Sequence, residues 1–507
     1  MYEFKKRSAL NIITDLGGKM LILIMGIILP KLYVENFGSD TNGLISSINN
    51  ILIYVNLLEA GIGGAAAQSL YNSIAKRDQD GVNGIMSATN KFYKKTGTYF
   101  VLIVCVLCVI YPYCVTSDLP FWLISSLVFL SAIPSAVKYF FIGKYTILLE
   151  ADNRAYILNV VTLISTLVTN FSRIVLILLG KDIIVVQLSY VAVSILQMLV
   201  IYMIVNRKYK TLNLSAEPNK IALSKSKYVL VHTISATIFS NIDVLTLTFF
   251  CDLKTVSVYT VYYTVFLQVS QMIKGISNGT KASFGQIYSL NKAQFRKNYN
   301  NFKIWYRFIA GTVLTAAAVS TMPFIRIYTR NFTDENYLSM VFPLLFFLSN
   351  YLDVIRWPEV VAVNSTGFFK ETAKQAVLET FINLVFSILL VSKFGINGVL
   401  MATIVSLAYR TIDFFYFVSK KLMDGGWVKD TIYMLVTSVL SLLVVYIAEL
   451  NTPVFYNWIY FFIYIIFALF ICSLAYLALV TAFYRKSAIV ALSEMCIMLT
   501  AWMKAKT

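Results

Sequence analysis

Apolar segments of about 20 residues recur along the whole chain, and they restrict its fold more than any other feature of the sequence. A helix of that length crosses the hydrocarbon core of a bilayer. Of the 507 residues, 58% are hydrophobic and 13% are charged, whereas soluble domains carry about 25% charged residues. We therefore predict an all-α polytopic membrane protein with about fourteen transmembrane helices. The predicted spans are 11–34, 44–70, 97–116, 121–142, 156–179, 183–205, 229–251, 256–282, 304–328, 338–360, 376–392, 396–418, 431–449 and 458–482.

The distribution of basic residues predicts the orientation of these spans. The formal net charge is +18. If the N-terminus is cytoplasmic, 29 lysines and arginines lie in cytoplasmic segments and four, Lys181, Lys254, Arg330 and Lys393, lie in exterior loops. By the positive-inside rule, both termini are then cytoplasmic. Topology and contact with membrane lipids explain the basic excess, so it does not predict binding of nucleic acid.

The spans form two similar sets on either side of a polar segment at 206–228. The shift along the chain that places Gly61 on Gly275 also places each of spans 3 to 6 on a span of the second half. Because six is an even number, the two sets would enter the membrane the same way round, as parallel repeats do in secondary transporters. The predicted divisions are an N-terminal six-helix lobe at 1–205, a cytoplasmic linker at 206–228, a C-terminal six-helix lobe at 229–418, two additional transmembrane helices at 431–482 and an amphipathic interfacial tail at 485–507.

The sequence lacks the motifs that metal or nucleotide chemistry needs. Its one histidine, His232, excludes a histidine-based metal centre, and the CxxC of Cys105 and Cys108 lies within a predicted span without a second pair. No GxxxxGK[ST] motif is present, so no internal nucleotide-driven motor is predicted. The exterior loops are too short to form a catalytic domain. We expect no cofactor, no metal site and no enzymatic activity.

Ten lysines and arginines lie within predicted spans or at their edges. A charge at bilayer depth costs about 3 kcal/mol or more. Lys31, Arg307 and Arg326 lie near span ends, where their side chains can reach water. Three other cations have an acid three or four residues away on the same helix, so that each pair can neutralise itself. These pairs are Asp15 with Lys19, Asp353 with Arg356, and Arg410 with Asp413.

Arg173, Lys274 and Lys281 have no acid within one turn of their own helices. Unpaired cations that face a cavity between two lobes suit an anionic ligand, and phosphate is the obvious class. Lys274 lies deeper in its span than Lys281, which can instead anchor the inner end of its helix. The predicted phosphate-binding residues are Lys19, Lys274, Arg173 and Lys281.

The intramembrane acids are candidates for ion coupling. A neutral Glu59 that is hydrogen-bonded to a neighbouring helix is the alternative interpretation for that residue. The shift that aligns Gly61 with Gly275 places Glu59 on Ile273, next to Lys274. The coupling candidates are Glu59, Asp15, Asp243 and Glu379.

Glycines follow Glu59 in the first half and Lys274 in the second half. Glycines let helices approach closely or bend, and matched bends in two repeats suit alternating access. Close packing of small residues without motion is the alternative. The glycines concerned are Gly61, Gly63, Gly64, Gly275 and Gly279.

Two segments of the chain resemble a known family. NLLEAGIGGAAAQSLYNSIAKRD, after the short loop FGSDTNGL, is similar to the opening of bacterial polysaccharide-transport flippases. LETFINLVFSILLVSKFGINGVLMATIVS at 378–406 is similar to their eleventh and twelfth spans. These flippases belong to the multidrug/oligosaccharidyl-lipid/polysaccharide exporter superfamily. The resemblance covers nearly the whole chain, including the arrangement of six, six and two spans.

The resemblance implies a V-shaped transporter with two six-helix lobes around a cationic central cavity. It also implies a flippase that carries an undecaprenyl-diphosphate-linked oligosaccharide from the inner to the outer leaflet of the bacterial cytoplasmic membrane by alternating access. Its partners would be that lipid-linked oligosaccharide and, in the same pathway, a glycan polymerase and chain-length proteins. The related lipid II flippases carry cavity arginines on spans 1, 2 and 8. This chain has Lys19 and Lys274 on spans 1 and 8 but Glu59 on span 2, which favours a capsule, O-antigen or teichuronic-type glycan.

Two other functions stay open. An ion-coupled multidrug exporter of the same superfamily would bind cationic drugs in an acidic cavity, whereas the unpaired intramembrane charges here are mostly cationic. A membrane glycosyltransferase or glycan polymerase would need a sizeable external loop with catalytic side chains, and the sequence has none.

Overall fold

The computed structural model describes residues 2–59, 66, 69–71, 73–74, 76–152, 154–219, 227–423 and 425–504, with side chains throughout except in 2–24, 227–230, 282 and 485–504. Within these residues the regular structure is helical, so the predicted all-α class is confirmed. The chain forms two compact units, which we call unit 1 (Met1–Thr260) and unit 2 (Val261–Thr507). The predicted lobe boundaries at 205 and 229 stay a prediction.

Unit 1 contains seven of the described helices and the first part of an eighth. A 3₁₀ turn, Asn56–Glu59, follows the first helix, and a π-helical segment, Lys138–Ile142, joins the third to the fourth. The helices are α1 (Tyr2–Val55), α2 (Gln79–Cys114), α3 (Phe121–Val137), α4 (Gly143–Ala151), α5 (Ala155–Leu178), α6 (Ile183–Lys208), α7 (Lys227–Phe250) and α8 (Leu253–Asn278).

Unit 2 contains the rest of α8 and eight further helices in its described part. They are α9 (Lys281–Leu290), α10 (Lys292–Tyr328), α11 (Val341–Ile355), α12 (Trp357–Thr366), α13 (Phe369–Phe394), α14 (Ile396–Lys421), α15 (Trp427–Leu450) and α16 (Trp458–Lys504).

Helices are interrupted where particular residues require it. Gly38 breaks α1 between the first two predicted spans, and its φ of 83° is a left-handed conformation that favours glycine. Pro358 lies in the first turn of α12, where its missing N–H is tolerated. The helix is interrupted just before it, at Arg356. A kink at Tyr484 separates the tail of α16 from its membrane-spanning part.

Ten helices in the described residues are long and apolar enough to cross a membrane, against the fourteen predicted spans. The prediction of one continuous helix at 338–360 is wrong, because the break at Arg356 leaves two shorter helices, α11 and α12. Helix α8 has the length to span a bilayer but carries many Ser, Thr and Gln side chains. The first two predicted spans extend into residues whose side chains, or whose backbone, lie outside the described ranges.

The helices recur along the chain at the predicted spacing. The shift that places Gly61 on Gly275 carries the last residue of α2, Cys114, onto the last residue of α10, Tyr328. It also carries Ala155, which begins α5, onto Phe369, which begins α13. The first residues of α2 and α6 fall one position beyond those of α10 and α14. The predicted internal repeat is therefore confirmed in its spacing by helix boundaries that sequence identity alone does not reveal.

Each unit has hydrophobic packing of its own. In unit 1, one cluster of buried side chains extends from α1 to α6 and reaches Leu253. In unit 2, a smaller cluster around Phe284 joins α9 to α10, where the rings of Phe295 and Tyr299 stack with their centroids 5.9 Å apart.

Polar contacts join α1 to α7 and α8 within unit 1. The Nδ2 atom of Asn42 donates a 2.7 Å hydrogen bond to Oγ of Ser257, and Tyr54 donates one of 3.0 Å to the carbonyl oxygen of Ile238. A Cβ atom at Gly43 would lie 1.8 Å from the carbonyl oxygen of Leu253. Helix α1 therefore approaches α8 as closely as a glycine permits.

Candidate functional site

A cavity of about 560 Å³ lies among α1, α3, α5 and α6 in unit 1. Fourteen of its twenty lining residues are polar, and none of them is acidic. Helices α5 and α6 supply most of the hydroxyl and amide groups, such as those of Thr169, Asn170 and Gln197. Polar side chains are costly inside a membrane-spanning bundle unless they are paired or used, so this concentration marks a candidate binding site.

Arg173 lies on the wall of this cavity. Its Nη2 atom donates a 3.1 Å hydrogen bond to Oε1 of Gln187, and its guanidinium lies 4.5 Å from the centre of the Tyr190 ring. Gln187 is itself fixed, because its Nε2 atom donates a 2.7 Å hydrogen bond to Ser131. The Nε atom of Arg173 is buried without a hydrogen-bond partner, and no described acid pairs with this residue. Its charge is thus oriented but not neutralised within the described residues.

Lys138 also lines the cavity, from the first position of the π-helical segment. Its ammonium group forms an ion pair with Glu59, which ends the 3₁₀ turn after α1. Side chains of Lys138 and Glu59 are 45% and 21% exposed. π-helical segments are rare and are frequent at functional sites. Glu59, predicted as a coupling residue, therefore has a cationic partner on another helix that spacing along the chain does not reveal.

In unit 2, six alternating charges form a continuous chain across α8, α11, α13 and α14. Arg356 donates hydrogen bonds of 3.0 Å to Asp353 and 2.6 Å to Glu379. Arg410 lies 3.4 Å from the second oxygen of Glu379. At the two ends of this chain of charges, Lys274 forms an ion pair with Asp353 and Arg410 forms one with Asp413.

This chain of charges tests the predicted pairings. The Asp353–Arg356 and Arg410–Asp413 pairs are present as predicted. Lys274, which lacks an acid on its own helix, is paired with Asp353 of α11 and lies 4.5 Å from the centre of the Trp357 ring. Both oxygens of Glu379, a predicted coupling residue, face guanidinium groups.

A second buried network in unit 2 corrects the prediction that Arg307 reaches water at a span end. Arg307 is fully buried, and its guanidinium donates hydrogen bonds of 2.7 Å to Asp430 and 3.0 Å to Glu359. Lys303 and Tyr484 donate further 2.7 Å hydrogen bonds to Asp430. The prediction was wrong because α10 extends far beyond its apolar core, which places Arg307 inside the bundle with acids from α12 and α15.

The other predicted residues are dispersed. Lys281 is exposed beside a shallow groove of about 660 Å³ in unit 2. Asp243 is buried and accepts a 2.9 Å hydrogen bond from Tyr259. A Cβ atom at Gly275 would meet nothing within 4 Å, so that glycine makes no close helix contact, and α8 ends at Asn278, just before Gly279. The side chains of Asp15 and Lys19, and all of Gly61, Gly63 and Gly64, lie outside the described residues.

No protein-family model and no curated protein matches the chain. Among solved structures, the chain is similar to the lipid II flippase MurJ in an inward closed conformation, at a TM-score of 0.65 and 15% identity, over 94% of this chain and 99% of that one. It is also similar to an inward-facing multidrug resistance MATE family transporter of the MOP superfamily, at a TM-score of 0.54 and 13% identity, over 87% and 99% of the two chains.

A third structure is a MOP superfamily transporter from Pyrococcus furiosus, described as having a binding pocket of reverse polarity. It matches at a TM-score of 0.55 and 13% identity, over 82% of this chain and 96% of that one. The second and third of these proteins are MOP superfamily transporters. The chain has the fold of these three structures. With ten helices that are long and apolar enough to cross a membrane in its described residues, it is a multi-pass membrane protein.

The two units differ at equivalent positions of the internal repeat. The shift that aligns the first residues of α5 and α13 places Ser165, which lines the unit 1 cavity, on Glu379 of the unit 2 charge chain. The shift that aligns the first residues of α6 and α14 places Gln197 on Arg410. At these two positions unit 2 carries charged side chains, whereas unit 1 has neutral polar side chains that line its cavity. Aligning the two halves of the sequence shows which residues differ at these positions. The contacts in the structure are needed to show that the residues of unit 1 line a cavity and that those of unit 2 form ion pairs.

The sequence predicts Arg173 as a phosphate-binding residue but does not predict the rest of the cavity that it lines. The predicted phosphate-binding residues include neither Lys138 nor the hydroxyl and amide residues of α5 and α6. A count of Ser, Thr, Asn and Gln within the predicted fifth span would have found them, since 155–178 contains seven such residues, spaced so that several share one face.

Proposed function

We propose that this protein is a flippase for an undecaprenyl-diphosphate-linked oligosaccharide, which it moves from the inner to the outer leaflet of the cytoplasmic membrane for a capsule or O-antigen-type polysaccharide. The observation that carries the proposal is the un-neutralised guanidinium of Arg173 on the wall of a polar cavity without acids. An arginine in this state suits a phosphate group, which it can bind through two parallel hydrogen bonds.

The remaining cavity wall suits a sugar. Hydroxyl and amide side chains both donate and accept hydrogen bonds, as sugar hydroxyls do. The ring of Tyr190 beside Arg173 offers an apolar face, and the cavity volume of about 560 Å³ is in the range of small-ligand sites. The similarity to a lipid II flippase supports a lipid-linked substrate in general terms.

The main competing function is export of cationic drugs, which MATE family similarity suggests. A cationic ligand would need acidic groups in the cavity, and the residues that line the unit 1 cavity include none. In unit 2 the buried acids at the equivalent position are already paired with arginines. The charges of the described residues therefore favour an anionic substrate over a cationic drug.

A reconstitution assay tests the proposal. The full-length protein is placed in vesicles that contain a fluorescent prenyl-diphosphate-linked disaccharide, and an impermeant quencher is added outside. We expect the protein to increase the quenched fraction, because lipid from the inner leaflet reaches the outer one. A neutral glycolipid with the same fluorophore should not move. Transport of a cationic dye without movement of the diphosphate lipid would contradict the proposal and favour the exporter.

A further inference from the structure

The Glu59–Lys138 ion pair of unit 1 has a counterpart in unit 2 with the charges exchanged. The separation along the chain is the same in the two pairs, since the shift that places Glu59 on Lys274 also places Lys138 on Asp353. This shift differs by one position from the one that aligns the glycines. The carboxylate is thus on the α1 side in unit 1 and on α11 in unit 2.

The two ion pairs differ in how firmly they are held. In unit 2, Asp353 also accepts a 3.0 Å hydrogen bond from Arg356, and the chain of charges continues from there. In unit 1, Glu59 is the one ion-pair partner that Lys138 has among the described side chains. Lys274 is 12% exposed, whereas Lys138 is 45% exposed. The pair of unit 2 is fixed in a network, and the pair of unit 1 is open on one side.

The open side of the unit 1 pair faces the cavity. Lys138 is among the lining residues, whereas Glu59 is not. A half-exposed ion pair contributes little to stability, since solvent screens it and ordering the side chains costs entropy. A phosphate offers more charge and more acceptor oxygens than a carboxylate. An anion in the cavity can therefore replace the Glu59 carboxylate as the partner of Lys138 at a small cost in free energy.

We propose that Lys138 is a second anion-binding residue of the unit 1 cavity, together with Arg173, and that Glu59 is a counter-ion which the incoming anion displaces. The inference rests on the proposed function, since it takes the diphosphate of the carrier lipid as the anion. Glu59 holds the lysine in place while the cavity is empty and lowers the affinity for the anion by competing with it. Lys274 is not equivalent in this respect, because Asp353 stays bound to Arg356.

Binding of farnesyl diphosphate to the purified full-length protein tests this inference, with farnesol as the uncharged control. We expect Lys138→Gln to weaken diphosphate binding roughly ten-fold or more, as loss of a charge-assisted contact should. Lys138→Arg should retain binding. Glu59→Gln, which keeps the shape of the side chain, should tighten binding about two- to five-fold, because the competitor is removed. None of these variants should change farnesol binding.

The exchange of the two charges separates an anion site from a structural pair. The double variant Glu59→Lys with Lys138→Glu keeps an ion pair but places the carboxylate at the cavity. It should melt near the wild-type temperature and bind farnesyl diphosphate as weakly as Lys138→Gln. If the pair is only structural, the double variant binds like wild type and Glu59→Gln lowers the melting temperature without tightening binding. Either of those results would overturn the inference.

Failure of the inference and failure of the proposed function give different results. If binding of farnesyl diphosphate follows the expected order but the vesicle assay shows no lipid movement, the flippase proposal fails and the anion site stands. If lipid moves and Arg173 variants lose binding while Lys138 variants keep it, the flippase proposal stands and the role of Lys138 is wrong.

Discussion

The Nη1 atom of Arg307 donates a 2.7 Å hydrogen bond to Oδ1 of Asp430, and both residues are buried. Through this contact α10 is joined to α15, one of the two helices that follow the repeated set. Glu359 on α12 and Tyr484 near the end of the spanning part of α16 bind the same guanidinium. One arginine therefore connects the additional C-terminal helices to the second repeat within unit 2.

Replacing Arg307 should destabilise the protein severely. Arg307→Met leaves Asp430 and Glu359 with fewer counter-charges in a buried position, and breaking a buried ion pair typically costs about 3–5 kcal/mol. We expect a large drop in the melting temperature of the detergent-purified protein. Arg330→Met, at an exposed position, is the control and should melt like wild type. Equal melting temperatures for the two variants would show that the network does not hold these helices.

Gly43 should tolerate no side chain. A Cβ atom there would lie 1.8 Å from the backbone oxygen of Leu253, so Gly43→Ala must push α1 away from α8. We expect a lower melting temperature and lower expression. The matched control is Gly275→Ala, where a Cβ atom meets nothing within 4 Å and the helix gains about 1 kcal/mol in propensity.

The same control tests the predicted hinge. If Gly275 bends during transport, Gly275→Ala should keep or raise the melting temperature and still reduce lipid movement in vesicles. Unchanged transport in this variant would argue that the glycine is not a hinge.

Cysteines that replace Asn42 and Ser257 should form a disulfide. Their side chains are in direct contact at 2.7 Å, so Asn42→Cys with Ser257→Cys in a cysteine-free background should cross-link under mild oxidation. If alternating access separates α1 from α8, the cross-link should stop lipid movement and a reductant should restore it. Full transport by the oxidised protein would contradict a requirement for this separation. Each single-cysteine variant serves as a control for oxidation.

Glu449 should be replaceable without loss of stability. Its side chain is buried, 3% exposed as a residue, and neither carboxylate oxygen has a hydrogen-bond partner among the described residues. A buried carboxylate without hydrogen-bond partners is unfavourable, so Glu449→Gln should keep or raise the melting temperature. Glu359→Gln, which alters a carboxylate bound to Arg307, should lower it. A marked loss of stability in Glu449→Gln would indicate a partner outside the described residues.

The fold could be predicted from the sequence to a large extent, because the length of each apolar segment and the spacing of its residues are local properties of the sequence. The shift that aligns Gly61 with Gly275 predicted the repeat, and α10, α13 and α14 begin within one position of where this shift places the starts of α2, α5 and α6. The helix break at Arg356 was missed, since Pro358 alone does not distinguish a kink from a new helix. The pairs on one helix, such as Arg410 with Asp413, were found because their spacing is fixed by helical geometry.

The site was harder to predict, because charges on different helices meet through packing. Asp353 neutralises Lys274 from a distant part of the chain, so no search within one turn could find it. In the same way, Lys138 is paired with Glu59, which is also distant in the sequence. Arg173 has no acid within one turn of its own helix, and no described acid forms an ion pair with it. The polar side chains that α5 and α6 contribute around it are neutral and offer it no counter-charge, but its role in binding stays a prediction.

The central claim is that the protein moves a diphosphate-linked glycan that binds in the unit 1 cavity. Substitution of Arg173 tests this claim most directly. The initial rate of lipid movement is compared in vesicles that contain equal amounts of wild-type, Arg173→Gln, Arg173→Lys and Lys181→Gln protein. We expect Arg173→Gln to lose roughly ten- to hundred-fold in rate at low substrate, as removal of one charge-assisted phosphate contact should. Arg173→Lys should keep part of the rate, and the exposed Lys181→Gln control should keep all of it. A folded Arg173→Gln protein that moves the diphosphate lipid at the wild-type rate would contradict the account.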